Sequence, residues 1–163
     1  MFDVLKVSAI AVFIGLLTGC AATSVTPISK NQVLISTSAA PACGTDGAAK
    51  VASQMAAVAT LRAGYQRYVI QGGGVQNNTR VVSTGPTFAT TYGSASVYGN
   101  TAYGSSTTYF GGSTSYLAGS NNAEFAVLML NPGDRGYANG LDAKAALGKE
   151  WEAKVRDGIN TCG

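Results

Sequence analysis

Hydrophobic and polar positions change rhythm several times along this chain, and each rhythm predicts a different element. Val7 to Leu17 (VSAIAVFIGLL) is one continuous apolar run behind Lys6. It is too short for the roughly 20 apolar residues of a membrane-spanning helix and suits the core of a secretory leader. Asp3 nearly cancels Lys6, so the segment ahead of the run is only weakly basic. Ala21 to Asn31 is small, polar and broken by Pro27, the pattern of a flexible tether. Val33-Leu34-Ile35 then reads as a short buried strand. From Ala48 to Ala63 the chain is alanine-rich, with Val51, Met55, Val58 and Leu61 at helical spacing and Gly64 placed for a C-terminal cap. Thr45 or Asp46 can cap its start.

Tyr65 to Gln71 has strand character, and Gly72-Gly73-Gly74 reads as the hairpin turn that ends it. Arg80 to Ser83 begins a third strand. The rhythm then dissolves into Thr, Ser, Gly, Ala and Tyr, with Tyr92, Tyr98, Tyr103, Tyr109 and Tyr116 recurring at irregular intervals. That low-complexity tract, 84–123, fits strands interrupted by turns or a Gly/Ser-rich loop. Glu124 to Leu130 (EFAVLML) is nearly continuous in apolar residues, which predicts a central strand. Leu147, Trp151, Val155 and Ile159 form an apolar stripe at four-residue spacing in the tail, where Gly148 is a candidate break. The pattern therefore predicts an α+β fold: a small, mainly antiparallel sheet with two helices (about 46–63 and 141–158) and a Gly/Ser/Thr/Tyr-rich insertion.

Leu17-Thr18-Gly19-Cys20, at the end of the leader, resembles the lipobox of bacterial lipoprotein precursors at every position. The resemblance implies that residues 1–19 are removed as a signal peptide and that Cys20 receives diacylglycerol and an amide-linked acyl chain such as palmitate. It implies 20–31 as the tether and 32–163 as one periplasmic domain. Ala21, in place of Asp, implies export to the outer membrane, facing the periplasm. With Cys20 so used, Cys43 and Cys162 remain, and in an oxidising periplasm they most simply form one disulfide. The alternative, a metal or redox pair, is short of ligands: the chain has 3 Cys, no His and no CxxC spacing.

Residues 33–70 also resemble the periplasmic domain of small proteobacterial lipoproteins, such as the outer-membrane stress-sensor lipoprotein of the Rcs pathway. Ala56 to Ile70 (AAVATLRAGYQRYVI) carries most of that likeness. It implies an architecture rather than a chemistry, and tract 84–123 has no counterpart in it.

Charge narrows the function classes. Only 12% of residues are charged, about half the usual share, and the net charge of +3 comes without a basic cluster, so nucleic acid is not an expected partner. The charged side of the tail helix (Lys144, Lys149, Glu150, Glu152, Lys154, Arg156, Asp157) reads as a solvated face. No cofactor and no metal site are expected. Without His, the commonest general base and metal ligand is missing, and Asp46 and Glu124 are the scattered carboxylates outside the tail. Gly72-Gly73-Gly74 lacks the Lys-Ser/Thr that follows a phosphate loop. The sequence thus points to a non-catalytic, membrane-anchored envelope lipoprotein that contacts another envelope protein or maintains the envelope. A second reading is a glycan or peptidoglycan binder using the five tract tyrosines with Phe88 and Phe110. A third is self-association, because the tract from Val81 to Ala123 carries no gatekeeper charge; its frequent Gly argues against an amyloid role. An enzyme would need a pocket gathering Asp46, Glu124 or tyrosines.

Overall fold

The computed structural model describes residues 20–98 and 100–163. The leader and the first three lipobox residues lie outside the described residues. Among the described residues, nine strands and three α-helices follow in order: β1 (Ala21–Ser29), β2 (Gln32–Ala39), α1 (Gly44–Arg62), β3 (Arg67–Asn77), β4 (Arg80–Ser83), β5 (Phe88–Tyr98), β6 (Thr101–Gly111), β7 (Ser115–Ala118), β8 (Asn121–Leu130), β9 (Leu141–Asp142), α2 (Ala143–Leu147) and α3 (Trp151–Asp157). The fold is α+β. Its main sheet is antiparallel, in the order β1-β2-β8-β3-β9. The apolar run in β8 sits at the centre of the sheet, as its composition predicts.

Alternation fixes which way each strand faces. In β2, Val33, Ile35, Thr37 and Ala39 are buried, and in β8 so are Asn121, Ala123, Val127 and Met129. These positions meet α1. The helix is buried at six successive residues, Met55 to Thr60, so it has no solvent face there. Its far side is covered by α2 and α3, and this explains the alanines: a helix enclosed on all sides needs small side chains for close approach. Gly47, in its first turn, leaves room for the disulfide between Cys43 and Cys162, whose Cα atoms lie 5.8 Å apart.

Three expectations change. The segment expected to be a tether is instead strand β1, paired in register with β2 from Ala21↔Ala39 to Ser29↔Gln32. Its Thr and Val positions suit a sheet edge, and the Thr23 and Thr37 hydroxyls hydrogen-bond across it at 2.8 Å. Pro27 is tolerated because an edge strand can forgo an N–H, and the register shifts just after it. Gly72-Gly73-Gly74 does not end β3 but runs through it, past a bulge between Ile70 and Gly72. Gly73 has a φ of +152°, and a side chain there would overlap the Glu124 carbonyl and the Phe125 ring. The expected tail helix is two short ones, because Gly148 takes a φ of +77° and closes α2 onto the Lys144 and Ala145 carbonyls. Asp142 caps the N-terminus of α2 through the Ala145 N–H, and Lys154 donates to the Leu147 carbonyl at 2.8 Å. The stripe survives the break. Leu147 is buried, and Trp151, Val155 and Ile159 pack against the core.

Candidate functional site

One row of residues crosses the sheet: Ala21 pairs with Ala39, Ala39 with Asn121, and Asn121 with Asn77. Just beyond the start of that row, Cys20 is exposed and forms an antiparallel bridge with Thr161. The Ala40 N–H donates to the Cys20 carbonyl at 3.0 Å, and the Ala21 N–H to the Asn160 carbonyl at 2.8 Å. Cys162 follows Thr161 directly, so the disulfide fastens the C-terminal segment against Cys20 and the start of α1. Asn121 is buried at the same rim, with its side-chain amide directed at the Ala40 and Pro41 carbonyls. Cys20 therefore sits on the folded domain itself.

From the other end of that row, an arm leaves the sheet. Past Asn77 and Asn121 the two chains stay paired, through the Asn78 N–H to the Ser120 carbonyl, then β4 with β7, then the Thr84 and Thr87 N–H groups to Thr114 and Gly111. β5 and β6 complete the arm in unbroken register, from Phe88↔Gly111 to Tyr98↔Thr101. Residues 78–98 of the outgoing chain span about 70 Å at the rise of an extended strand. All eleven residues of β5 are exposed.

Residues directly opposite in an antiparallel pair share a face. One face of the arm carries Phe88, Thr90, Tyr92, Ser94, Ser96 and Tyr98 from β5, with Thr101, Tyr103, Ser105, Thr107 and Tyr109 from β6. Apart from Phe88, each of these bears a hydroxyl. The other face carries Ala89, Thr91, Gly93, Ala95 and Val97, opposite Gly104, Ser106, Thr108 and Phe110. Four of the five tract tyrosines are thus gathered on one face, and Tyr92 and Tyr109 meet edge to face with centroids 6.1 Å apart. Tyr116 stands apart, on the stem opposite Val82. Phe110 lies on the opposite face from the tyrosines. A shallow depression on the arm is lined by small residues, Gly93 to Ala95 and Gly104 to Ser106.

A second concavity, of about 600 Å³, lies on the helix-free face of the sheet. Ser24, Ser36, Ser38, Gln76, Asn122 and Glu124 give it a hydroxyl and amide lining. The Ser36 hydroxyl donates to Glu124 at 3.0 Å. Asp46 is in the first turn of α1, on the other side of the sheet, so the two carboxylates singled out from sequence are not brought together. Among the residues lining this groove Glu124 is the one carboxylate, so a carboxylate pair for acid–base chemistry is not assembled there. Among the described residues, no cluster of three or more His, Cys, Asp or Glu can hold a metal ion, and no helix is long and apolar enough to cross a membrane.

The sequence reading did not find this groove or the two-faced arm. Seen as a strand pair, the tract does carry a signal: its hydroxyls recur at every second position from Thr90 to Ser96 and from Thr101 to Tyr109. The even register is hidden because Ser and Thr also occupy several positions of the other face. The class defined by this geometry is a stapled α+β domain bearing a long β-arm that carries no charge beyond Arg80 at its base. Compared with the models of known protein families, with curated proteins and with solved structures, the chain matches none.

Proposed function

We propose that the protein is a non-catalytic envelope lipoprotein, anchored through acylated Cys20 in the outer membrane and acting through contacts made by its arm. The observation that carries the reading is the shared rim: the residue that would bear the lipid lies at the end of the sheet from which the arm departs. Several acyl chains on one residue hold firmly, since each buried methylene contributes about 0.8 kcal/mol. With no slack between Cys20 and the sheet, the arm's base stays close to the bilayer surface. Growth with radiolabelled palmitate tests the anchor. The expected outcome is label in the membrane fraction that Cys20→Ala abolishes along with membrane retention; an unlabelled protein in the soluble periplasmic fraction overturns the reading.

A second reading has its own observation, the four tyrosines on a hydroxyl-lined face. Aromatic faces stack on sugar rings and hydroxyls hydrogen-bond them, which suits a glycan or peptidoglycan strand laid along the arm. Binding to purified peptidoglycan at low salt would support it, and absence of retention would remove it.

A further inference from the structure

We infer that the arm's partner is a second copy of this chain, bound with β6 against β6 in a symmetric antiparallel pair; from the proposed function this takes only that the arm makes the contacts. The first observation is the state of the arm's edges. Among the described residues no other strand pairs with β5 or with β6, so each presents an open backbone edge eleven residues long. Proteins protect such edges with charges, prolines or bulges. This arm has none of them: from Phe88 to Gly111 there is no charged residue and no proline, and its register is unbroken. A two-stranded ribbon alone is marginal in water, whereas two arms joined along β6 form four strands. An eleven-residue antiparallel ladder adds about ten backbone hydrogen bonds, as many as a typical whole protein interface.

The second observation is that β6 is complementary to itself. Along a strand, side chains alternate between the faces and backbone groups alternate between the edges. Because β6 has an odd number of residues, full overlap of two copies, Thr101 against Gly111, pairs like positions. Tyrosine face then meets tyrosine face, and outward N–H and C=O groups meet outward ones. The two-fold axis falls on Ser106. In this register Tyr103 lies opposite Tyr109 of the second copy, and Tyr109 opposite its Tyr103. Both rings are well exposed in the single chain, at 66% and 60%, and aromatic cross-strand pairs are among those that stabilise a sheet. Tyr109 already meets Tyr92 edge to face, so the pairing extends an existing contact into a row across the four strands. The same overlap of β5 sets Gly93 against Gly93 at its centre and Tyr92 against Ser94, which leaves its aromatic ring without a partner ring. The β6 edge is therefore the one that a second copy fits.

The third observation is the stem. Residues 78–87 hold β5 and β6 about 33 Å from the sheet rim at the rise of an extended strand. Antiparallel overlap brings the tip of each arm to the base of the other, and the stem keeps the partner's domain clear of that tip. The two-fold axis of an antiparallel pair runs normal to the sheet, so the two Cys20 residues lie at equal height along it. Two copies anchored in one bilayer satisfy the same geometry as two copies in solution.

The full-length protein, from cells grown with radiolabelled palmitate, is purified in detergent and sized by sedimentation at several concentrations. A monomer–dimer equilibrium is expected. Ser106→Lys sets two ammonium groups face to face at the two-fold axis and should weaken the dimer at least about tenfold. Ala95→Lys lies on the same face of the outer strand β5, about 10 Å from the partner's β6, and should leave the dimer within about twofold of the parent. Both positions are on the exposed arm, so the domain's Tm should not move. Oxidation of membranes with copper phenanthroline should give a covalent dimer with Ser106→Cys and none with Ala95→Cys or the parent, since directly opposite residues are within disulfide reach. A labelled, membrane-held protein that stays monomeric overturns this inference while leaving the lipoprotein reading intact. A dimer with these properties from a protein that takes no palmitate leaves the pairing standing and removes the anchor. Species larger than a dimer, equal effects of the two lysines, or crosslinking through position 95 also overturn the β6 pairing.

Discussion

Opening the Cys43–Cys162 disulfide is the perturbation whose size follows most directly from the geometry. The bridge closes a sequence separation of 119 residues. Loop-closure entropy for a loop of that length amounts to about 5 kcal/mol at 25 °C, a ceiling that measured bridges rarely reach. A loss of roughly 3–5 kcal/mol is therefore expected for the Cys43→Ser/Cys162→Ser double variant. In a domain of this size that lowers Tm by about 10–20 °C. The urea transition of the oxidised protein, compared with that of the double variant, measures it. The loss should have a local counterpart, because Cys162 adjoins the Thr161 bridge to Cys20 and the Asn160 carbonyl that holds the Ala21 N–H. Amide exchange at Ala21 and Ala40 should accelerate more than exchange in the middle of β8. A stability loss under about 1 kcal/mol at unchanged m would refute the argument, since the bridge would then not be restraining the unfolded chain.

Three further outcomes are expected. Leu147→Ala removes a buried side chain that joins α2 to the core and should cost about 2–5 kcal/mol in a urea titration; a cost below about 1 kcal/mol would mean that α2 is not docked. Gly73→Ala places a methyl group against the Glu124 carbonyl and the Phe125 ring, whereas Gly74→Ala meets nothing within 4 Å. The first should cost more than about 2 kcal/mol and the second less than about 1 kcal/mol, and equal losses would contradict the bulge geometry. Burial raises the Tyr68 hydroxyl above its ordinary value of 10.0, partly offset by a hydrogen bond with Ser53. The folded protein therefore keeps this proton to higher pH than the unfolded chain does. Its contribution is fully present below pH 10 and is lost as pH rises through the folded value. Tm measured from pH 8 to 11 should fall less steeply above pH 10 in Tyr68→Phe than in the parent, and parallel profiles would refute this origin.

Much of the fold was legible where apolar periodicity was strong. Val51, Met55 and Val58 located the core side of α1, Glu124 to Leu130 located the central strand, and the cysteine pair located the staple. The misreadings share a cause. Residues 21–29 and Gly72 to Gly74 look like linker and turn because small polar residues and glycines carry little periodic signal. Their conformation is set by pairing with β2 and β8, which are distant in sequence. Gly148 was legible as a break, but not that Lys154 would reach back to the end of α2. The arm was legible in composition and illegible in register, since only the cross-strand partners reveal which hydroxyls share a face. The groove around Glu124 draws on four strands and has no local signature.

The bridge between Cys20 and Thr161 has a consequence for kinetics. Were Cys20 lipidated, this bridge would present the domain at one height and with little freedom to tip, so an encounter with a partner in the same membrane would become a search in two dimensions. Confinement of this kind raises effective concentration without adding a contact. Pairing with such a partner would then be governed by surface density rather than by bulk concentration.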